Sequence, residues 1–290
     1  MCVSGTTAHG HGSYSQESSG GTVAANSTTG LSRRSFFKAG ATVAGGAAIA
    51  IAGPLGSGKA AAPGVVDLTH RLINAFPTFG GDDASASDVV VSNFDTDGFY
   101  QLQWTIVEHT GTHMDAPGHF GDGAMLVDEI PASHLVAPLA VVDIKQKASH
   151  DPNATVDPED LVAYERRHGR IPDGAFVAMN SGWASLVDDG DVFRGGTGFP
   201  DLNFPGFSGD ATDWLIARRN VVGIGVDTLS IDPGNSADFA VHFGFLPTNR
   251  YGIENLANLD SVPPRGTRVV VGAIPWEDGS GGPCRVLALT

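Results

Sequence analysis

From residue 65 onward the chain is punctuated by short runs of branched and aliphatic residues, each bounded by Gly, Pro or Asp. They are Val65–Thr69, Val89–Ser92, Leu139–Ile144, Ala175–Met179, Val221–Val226, Arg268–Ala273 and Arg285–Leu289. Runs of this length and composition predict strands, and several are apolar at consecutive positions, as in strands covered on both faces. Gln101–Val107 reads as a further strand. Between them the period changes. Asp157-Pro-Glu-Asp-Leu-Val-Ala-Tyr-Glu-Arg-Arg-His168-Gly169 predicts a helix with Asp at the N-cap, Pro at the first helical position, basic residues in the last turn and Gly just beyond. Asp210–Asn220 reads likewise. Strands interleaved with helices give a mixed α/β class, and no repeat of solenoid period is present.

The first 62 residues follow another pattern. Residues 1–30 are rich in Ser, Thr and Gly without periodicity, the composition of a disordered segment. Ser32-Arg-Arg-Ser-Phe-Phe-Lys38 then precedes an Ala/Gly-rich run over residues 39–53, which has the form of a twin-arginine export signal. That run is too short and too weakly apolar to anchor the chain in a bilayer. The expected organisation is a leader over 1–62 and a single domain over 63–290, working in the periplasm or outside the cell.

Of 290 residues, 41% are hydrophobic, enough for a substantial core, while 39 Gly and 17 Pro predict many loops. The net charge is -15. The leader holds four Lys/Arg against one acid, which leaves 13 Lys/Arg against 31 Asp/Glu in the rest, a net -18. So acidic a body, with no basic cluster, excludes nucleic acid as a partner. Cys2 and Cys284 are the only cysteines, and with Cys2 in the leader no disulfide forms within the domain. Cys284 reads as a small buried strand residue.

The chemistry is concentrated in His109-Thr-Gly-Thr-His113-Met-Asp115-Ala-Pro117-Gly-His119. Its three imidazoles and one carboxylate all occupy odd positions. An extended backbone turns alternate side chains to one face, whereas Gly111, two threonines and Pro117 disfavour a helix. Two imidazoles and a carboxylate suit a divalent ion of the zinc, manganese or iron type, with open positions for water. The alternative is a solvated polar loop. His242, between Val241 and Phe243, reads either as a satisfied core residue or, with Glu254, as further ligands. Asp227 closes a predicted strand, as a functional carboxylate or as a cap. Phe79 and Trp183 serve as aromatic walls for a flat substrate or as ordinary core.

The segment His109–Phe120 resembles the motif of the cyclase superfamily that includes kynurenine formamidases and isatin hydrolases. Asp67-Leu-Thr, Gly225-Val-Asp227-Thr and His242 followed by Glu254-Asn-Leu256 fall in the same order. The resemblance covers about residues 64–290. It implies a swivelling β/β/α fold, usually a homodimer or homotetramer, with metal held by His109, His113 and Asp115. Formamidase-like members add a second ion between Asp115, His242 and Glu254, whereas isatin-hydrolase-like members hold one manganese; His119 is the implied acid/base. At the family's substrate-contacting aromatic this chain has Phe79-Gly-Gly-Asp82, with Phe for Trp and Gly for Pro, a departure from the formamidases. The expected protein is a metal-dependent amidohydrolase using one or two zinc or manganese ions on a linear or cyclic small-molecule amide. The competing expectation is an exported metal- or ligand-binding protein without turnover.

Overall fold

A computed structural model describes residues 64–81 and 85–290. The expected leader and export signal over residues 1–62, and Asp82 of the Phe79–Asp82 match, lie outside the described residues. The strands are β1 (Val65–Asp67), β2 (Ala86–Ser92), β3 (Gln101–Ile106), β4 (His113–Asp115), β5 (Val136–Asp143), β6 (Thr155–Val156), β7 (Phe176–Asn180), β8 (Gly206–Phe207), β9 (Gly223–Gly225), β10 (Tyr251–Glu254), β11 (Thr267–Ala273) and β12 (Gly281–Leu289). The helices are α1 (Phe94–Asp97), α2 (Lys145–Ala148), α3 (Pro158–His168), α4 (Gly190–Arg194), α5 (Gly209–Arg219) and α6 (Ala240–Phe245).

The main sheet runs β1-β12-β11-β5-β7-β9-β10-β4, and β12 also pairs with β4, so the sheet closes into a barrel with β1 as an outer flap on β12. The β5-β7-β9-β10 part is parallel and the remainder antiparallel. Period-two alternation explains the continuous apolar runs. Leu139 and Val141 of β5, with Phe176 and Ala178 of β7, face the barrel interior beside Met114, Ile253, Val269 and Val286. The intervening Ala140, Val142, Val177 and Met179 face outward onto Leu161 and Tyr164 of α3, Leu215 of α5 and Phe245 of α6. Both faces of this half of the sheet are therefore dry, as parallel strands under crossover helices require.

The predicted ends of α3 hold. Asp157 and Asp160 form a reciprocal capping box, and the Gly169 N–H returns to the Glu165 carbonyl. The other long helix starts differently from the sequence reading. Ser208, not Asp210, caps α5, its hydroxyl accepting the Ala211 N–H at 3.2 Å, and Asn220 ends the helix in the left-handed region. The strand expected over Val221–Val226 shortens to Gly223–Gly225. The Gln101–Val107 strand pairs only with β2, in a hairpin outside the barrel. Cys284 is buried on β12, and burial pushes its thiol up to about 12, which leaves it inert as a nucleophile. Among the described residues no helix is long and apolar enough to cross a membrane.

Candidate metal centre

β4 is the strand on which the centre is built. It lies between β10 and the start of β12, with Glu254 directly across from His113, and Gly252 and Gly281 both opposite Asp115. The pleat turns His113 and Asp115 to one face, as the odd-position argument predicts. It does not account for the other two histidines. His109 precedes the strand, and the turn between them passes through Gly111 at φ 68, a backbone that glycine adopts without strain. His119 closes the single 3₁₀ turn Pro117–His119, and its ring stacks on that of His109 with centroids 3.8 Å apart. Gly281 has no room for a side chain, since a Cβ there would stand 2.8 Å from the His109 ring.

His242 arrives on α6, and Glu254 on β10. Two groups of three then converge, His109/His113/Asp115 and Asp115/His242/Glu254, each with ligand atoms within 4.8 Å of one another. Hydrogen bonds on the far side of the rings set which nitrogen faces inward. His113 donates Nδ1–H to the Gly111 carbonyl at 2.9 Å, leaving Nε2 3.3 Å from both Asp115 Oδ1 and Glu254 Oε2. His242 donates Nδ1–H to Asp232 at 2.6 Å and turns Nε2 to Glu254 at 3.6 Å. Ser280 donates its hydroxyl to Glu108 at 2.6 Å and so accepts His109 Nε2–H at 3.0 Å, which leaves His109 Nδ1 facing Asp115 Oδ1 at 2.7 Å.

These donors fit a divalent cation. His113 Nε2 and Asp115 Oδ2 are buried without a hydrogen-bond partner, and a buried polar atom left so costs about 1–3 kcal/mol. The electrostatics point the same way. Burial alone would strip the proton from His113, but the Asp115 and Glu254 carboxylates outweigh it and hold the imidazole up at about 10. Burial raises Asp115, yet His109 and His113 draw it well below the carboxylate range; Glu254 is raised by burial and by Asp115. A field that holds a proton this firmly between two buried carboxylates also attracts a metal ion.

His119 sits differently. Burial is the main influence and pushes its imidazole down to about 4, against the opposing pull of Asp115. It is neutral at neutral pH and offers an unprotonated ring nitrogen beside the cluster. The cluster forms the floor of a cavity of about 300 Å³ whose walls include Phe79, Phe120, Leu229 and Phe239.

The sequence profile of the Cyclase family matches residues 66–233. The isatin hydrolase of Roseibium aggregatum is 30% identical over 240 residues, 78% of this chain and 89% of that protein. The chain belongs to the cyclase family. The kynurenine formamidase of Bacillus anthracis, at 23% identity, covers 77% of this chain and 95% of its own length. Among solved structures, isatin hydrolase A from Ralstonia solanacearum superposes with a TM-score of 0.73 at 36% identity, over 79% of this chain and 92% of that one. This cyclase-family chain is a metal-dependent hydrolase, and the swivelling β/β/α fold expected from the resemblance is the fold it adopts, its main sheet closed into a barrel.

Every expected ligand of the cyclase-family motif, and His119 with them, lies at this one cavity. Of the two expected aromatic walls only Phe79 lines it. Trp183 does not. Gly182, at φ 78, turns the chain into the 3₁₀ helix Trp183–Leu186, where the indole N–H is donated to the Phe193 carbonyl at 2.7 Å and the ring packs on the Phe193/Leu202/Phe204 cluster. Asp227 is a cap rather than a ligand, its carboxylate accepting the Ser181 hydroxyl and the Ser181 and Trp183 N–H groups. Sequence reasoning missed the residues that orient the ligands: Asp232, Ser280 and Glu108 carry no local motif. It also missed Phe120 and Phe239 as cavity walls.

Proposed function

We propose that this metal-dependent amide hydrolase opens an uncharged, flat aromatic lactam of the isatin type. The observation that carries the reading is the cavity lining: phenylalanines, a leucine and a proline surround the ligand cluster, and no Lys or Arg is among the described lining residues. An amino-acid side chain on a formanilide brings an ammonium and a carboxylate, and such a wall would desolvate the carboxylate without pairing it. A flat neutral ring loses nothing there. The small volume, near the lower end of ligand cavities, suits a ring of one or two fused cycles.

His109, His113 and Asp115 would hold one ion, zinc or manganese, and Asp115, His242 and Glu254 would hold a second where the chain takes two. Such an ion, when bound, lowers the pKa of a water from about 15.7 towards 7 and polarises a carbonyl. The chain's residues do the rest. Phe79, Phe120 and Phe239 orient the ring and exclude bulk water. Neutral His119 accepts a proton from the attacking water and returns it to the lactam nitrogen as the C–N bond breaks, so that water and lactam yield a ring-opened amine and a carboxylic acid, which releases its own proton to solvent as it ionises. The leader's twin-arginine motif supports export before the enzyme acts. The exposed Val90, Trp104 and Ile106 on one face of the β2–β3 hairpin support the homo-oligomer, because an isolated two-stranded sheet is marginal in water.

The test is turnover by metal-loaded protein of isatin against a formanilide bearing an amino-acid side chain. A kcat/KM at least tenfold higher for isatin is expected. Preference for the formanilide overturns the lactam reading, and metal-loaded protein that binds isatin without opening it makes the chain a ligand-binding protein.

A further inference from the structure

Phe239 closes one wall of the cavity, and its backbone is where a phenylalanine is least at home. Its φ and ψ are 50 and 45, in the left-handed region. Among the described residues the other non-glycine positions at positive φ are Asn220, Asn249, Asn255, Asn258 and Asp278. Asn and Asp tolerate that conformation because a short polar side chain bonds locally; a bulky side chain there is strained. The surrounding structure enforces it. Ser236 Oγ accepts the Phe239 N–H at 3.1 Å, the Phe239 carbonyl accepts the Phe243 N–H at 2.9 Å, and Asp232 holds the Val241 and His242 N–H groups.

This left-handed step turns the chain into α6, which brings His242 to the ligand cluster. Any Asn or Gly would make the same turn without strain, so the turn explains the backbone and not the ring. The ring is only partly buried, unlike the fully covered phenylalanines of the core. It lies 5.9 Å from Phe79, 6.1 Å from Phe120 and edge-on to the His242 imidazole at 5.9 Å and 83°. It is therefore an aromatic edge held at the cavity beside a metal ligand, at a cost to the backbone.

We propose that Phe239 is a specificity-determining residue that contacts the fused aromatic ring of the substrate and so distinguishes aromatic lactams from lactams lacking that ring. The proposal rests on the lactam reading above, and it deepens it by assigning the discrimination to one strained side chain. Local strain persists at functional sites when the surrounding structure over-determines it and the function requires the group held there.

The experiment compares metal-loaded wild type with Phe239→Asn and Phe239→Gly, two replacements at ease at this φ. The probes are oxindole, a flat fused lactam, and 2-pyrrolidinone, the same lactam ring without the benzo group, titrated by NMR chemical shift. Oxindole affinity is expected to fall about tenfold, the order of one lost aromatic contact, while 2-pyrrolidinone affinity changes less than twofold and metal content holds. Equal losses on both probes would make Phe239 a structural residue, and undiminished oxindole affinity would remove it from the site; either overturns the proposal. kcat/KM for isatin should fall in parallel with oxindole affinity. Should wild type fail to open isatin while oxindole binding still requires Phe239, the lactamase reading fails and the assignment of Phe239 stands.

Discussion

Replacing Asp232 with Asn tests whether His242 is a metal ligand at all. Asp232 is buried, and every group around it is a donor: its Oδ1 accepts the Val241 N–H at 2.8 Å, and its Oδ2 accepts the His242 N–H at 3.0 Å and the His242 ring Nδ1–H at 2.6 Å. An amide has one acceptor oxygen, so whichever way the Asn side chain settles, its NH₂ faces a backbone N–H that has lost its partner. Leaving a buried donor unsatisfied costs about 1–3 kcal/mol. At about 2–4 °C per kcal/mol for a domain of this size, the unfolding midpoint should fall by roughly 2–12 °C. The effect on metal binding is separate. With the carboxylate charge gone, the imidazole keeps at best a neutral amide oxygen as acceptor for its Nδ1–H, or faces an amide NH₂ instead; either way the partner that fixes its tautomer is weakened, and such supporting groups are typically worth 10–100-fold in metal affinity. Competition with a chelator, read alongside thermal unfolding, measures both. A lowered midpoint with wild-type metal affinity and stoichiometry would refute the reasoning: Asp232 would only cap α6, and the enzyme would work with the ion at His109, His113 and Asp115.

His113→Ala removes the donor that faces both carboxylates, and metal analysis should find at least one equivalent lost per chain together with activity; full occupancy would dismiss the site. His119→Ala should lower kcat by about 10²–10⁴-fold with metal content held, and loss of metal would make His119 a ligand instead. Gly281→Ala places a Cβ against the Met114 carbonyl and the His109 ring, so metal affinity should drop although no ligand is touched; a crystal structure showing an unmoved His109 would contradict this. Arg219 forks onto Glu165 and holds that carboxyl below its ordinary 4.5, so the pair contributes stability above that pH and loses it as pH falls through the lowered value. Urea midpoints should show Glu165→Gln about 1 kcal/mol less stable at pH 7, a partly exposed pair being worth no more, with the gap closing in acid.

The sequence alone was sufficient wherever the cause is local. The apolar runs of β5 and β7 declared strands covered on both faces, although the equally apolar Val89–Val91 run lies exposed in the β2–β3 hairpin, and the Asp157-Pro-Glu-Asp start and Gly169 stop declared α3, because capping acts within a few residues. The motif from His109 to His119 marked the metal centre, since so dense a set of ligands has few other uses. The period-two argument held for His113 and Asp115, which share the pleat of one short strand, but not for their neighbours. His109 is placed by a left-handed glycine turn and His119 by a 3₁₀ turn, geometries that alternation does not describe. Trp183 looked like a wall and proved to be packing, because an aromatic beside a glycine carries no record of which cluster will bury it. What only the tertiary structure decided is the coming together of distant segments. The register of β10 against β4 sets Glu254 opposite His113, α6 delivers His242 from another part of the chain, and Asp232, Ser280 and Glu108 turn the rings inward. None of these leaves a local trace, because hydrogen bonds across the barrel depend on closure of the sheet, and closure is a property of the whole domain.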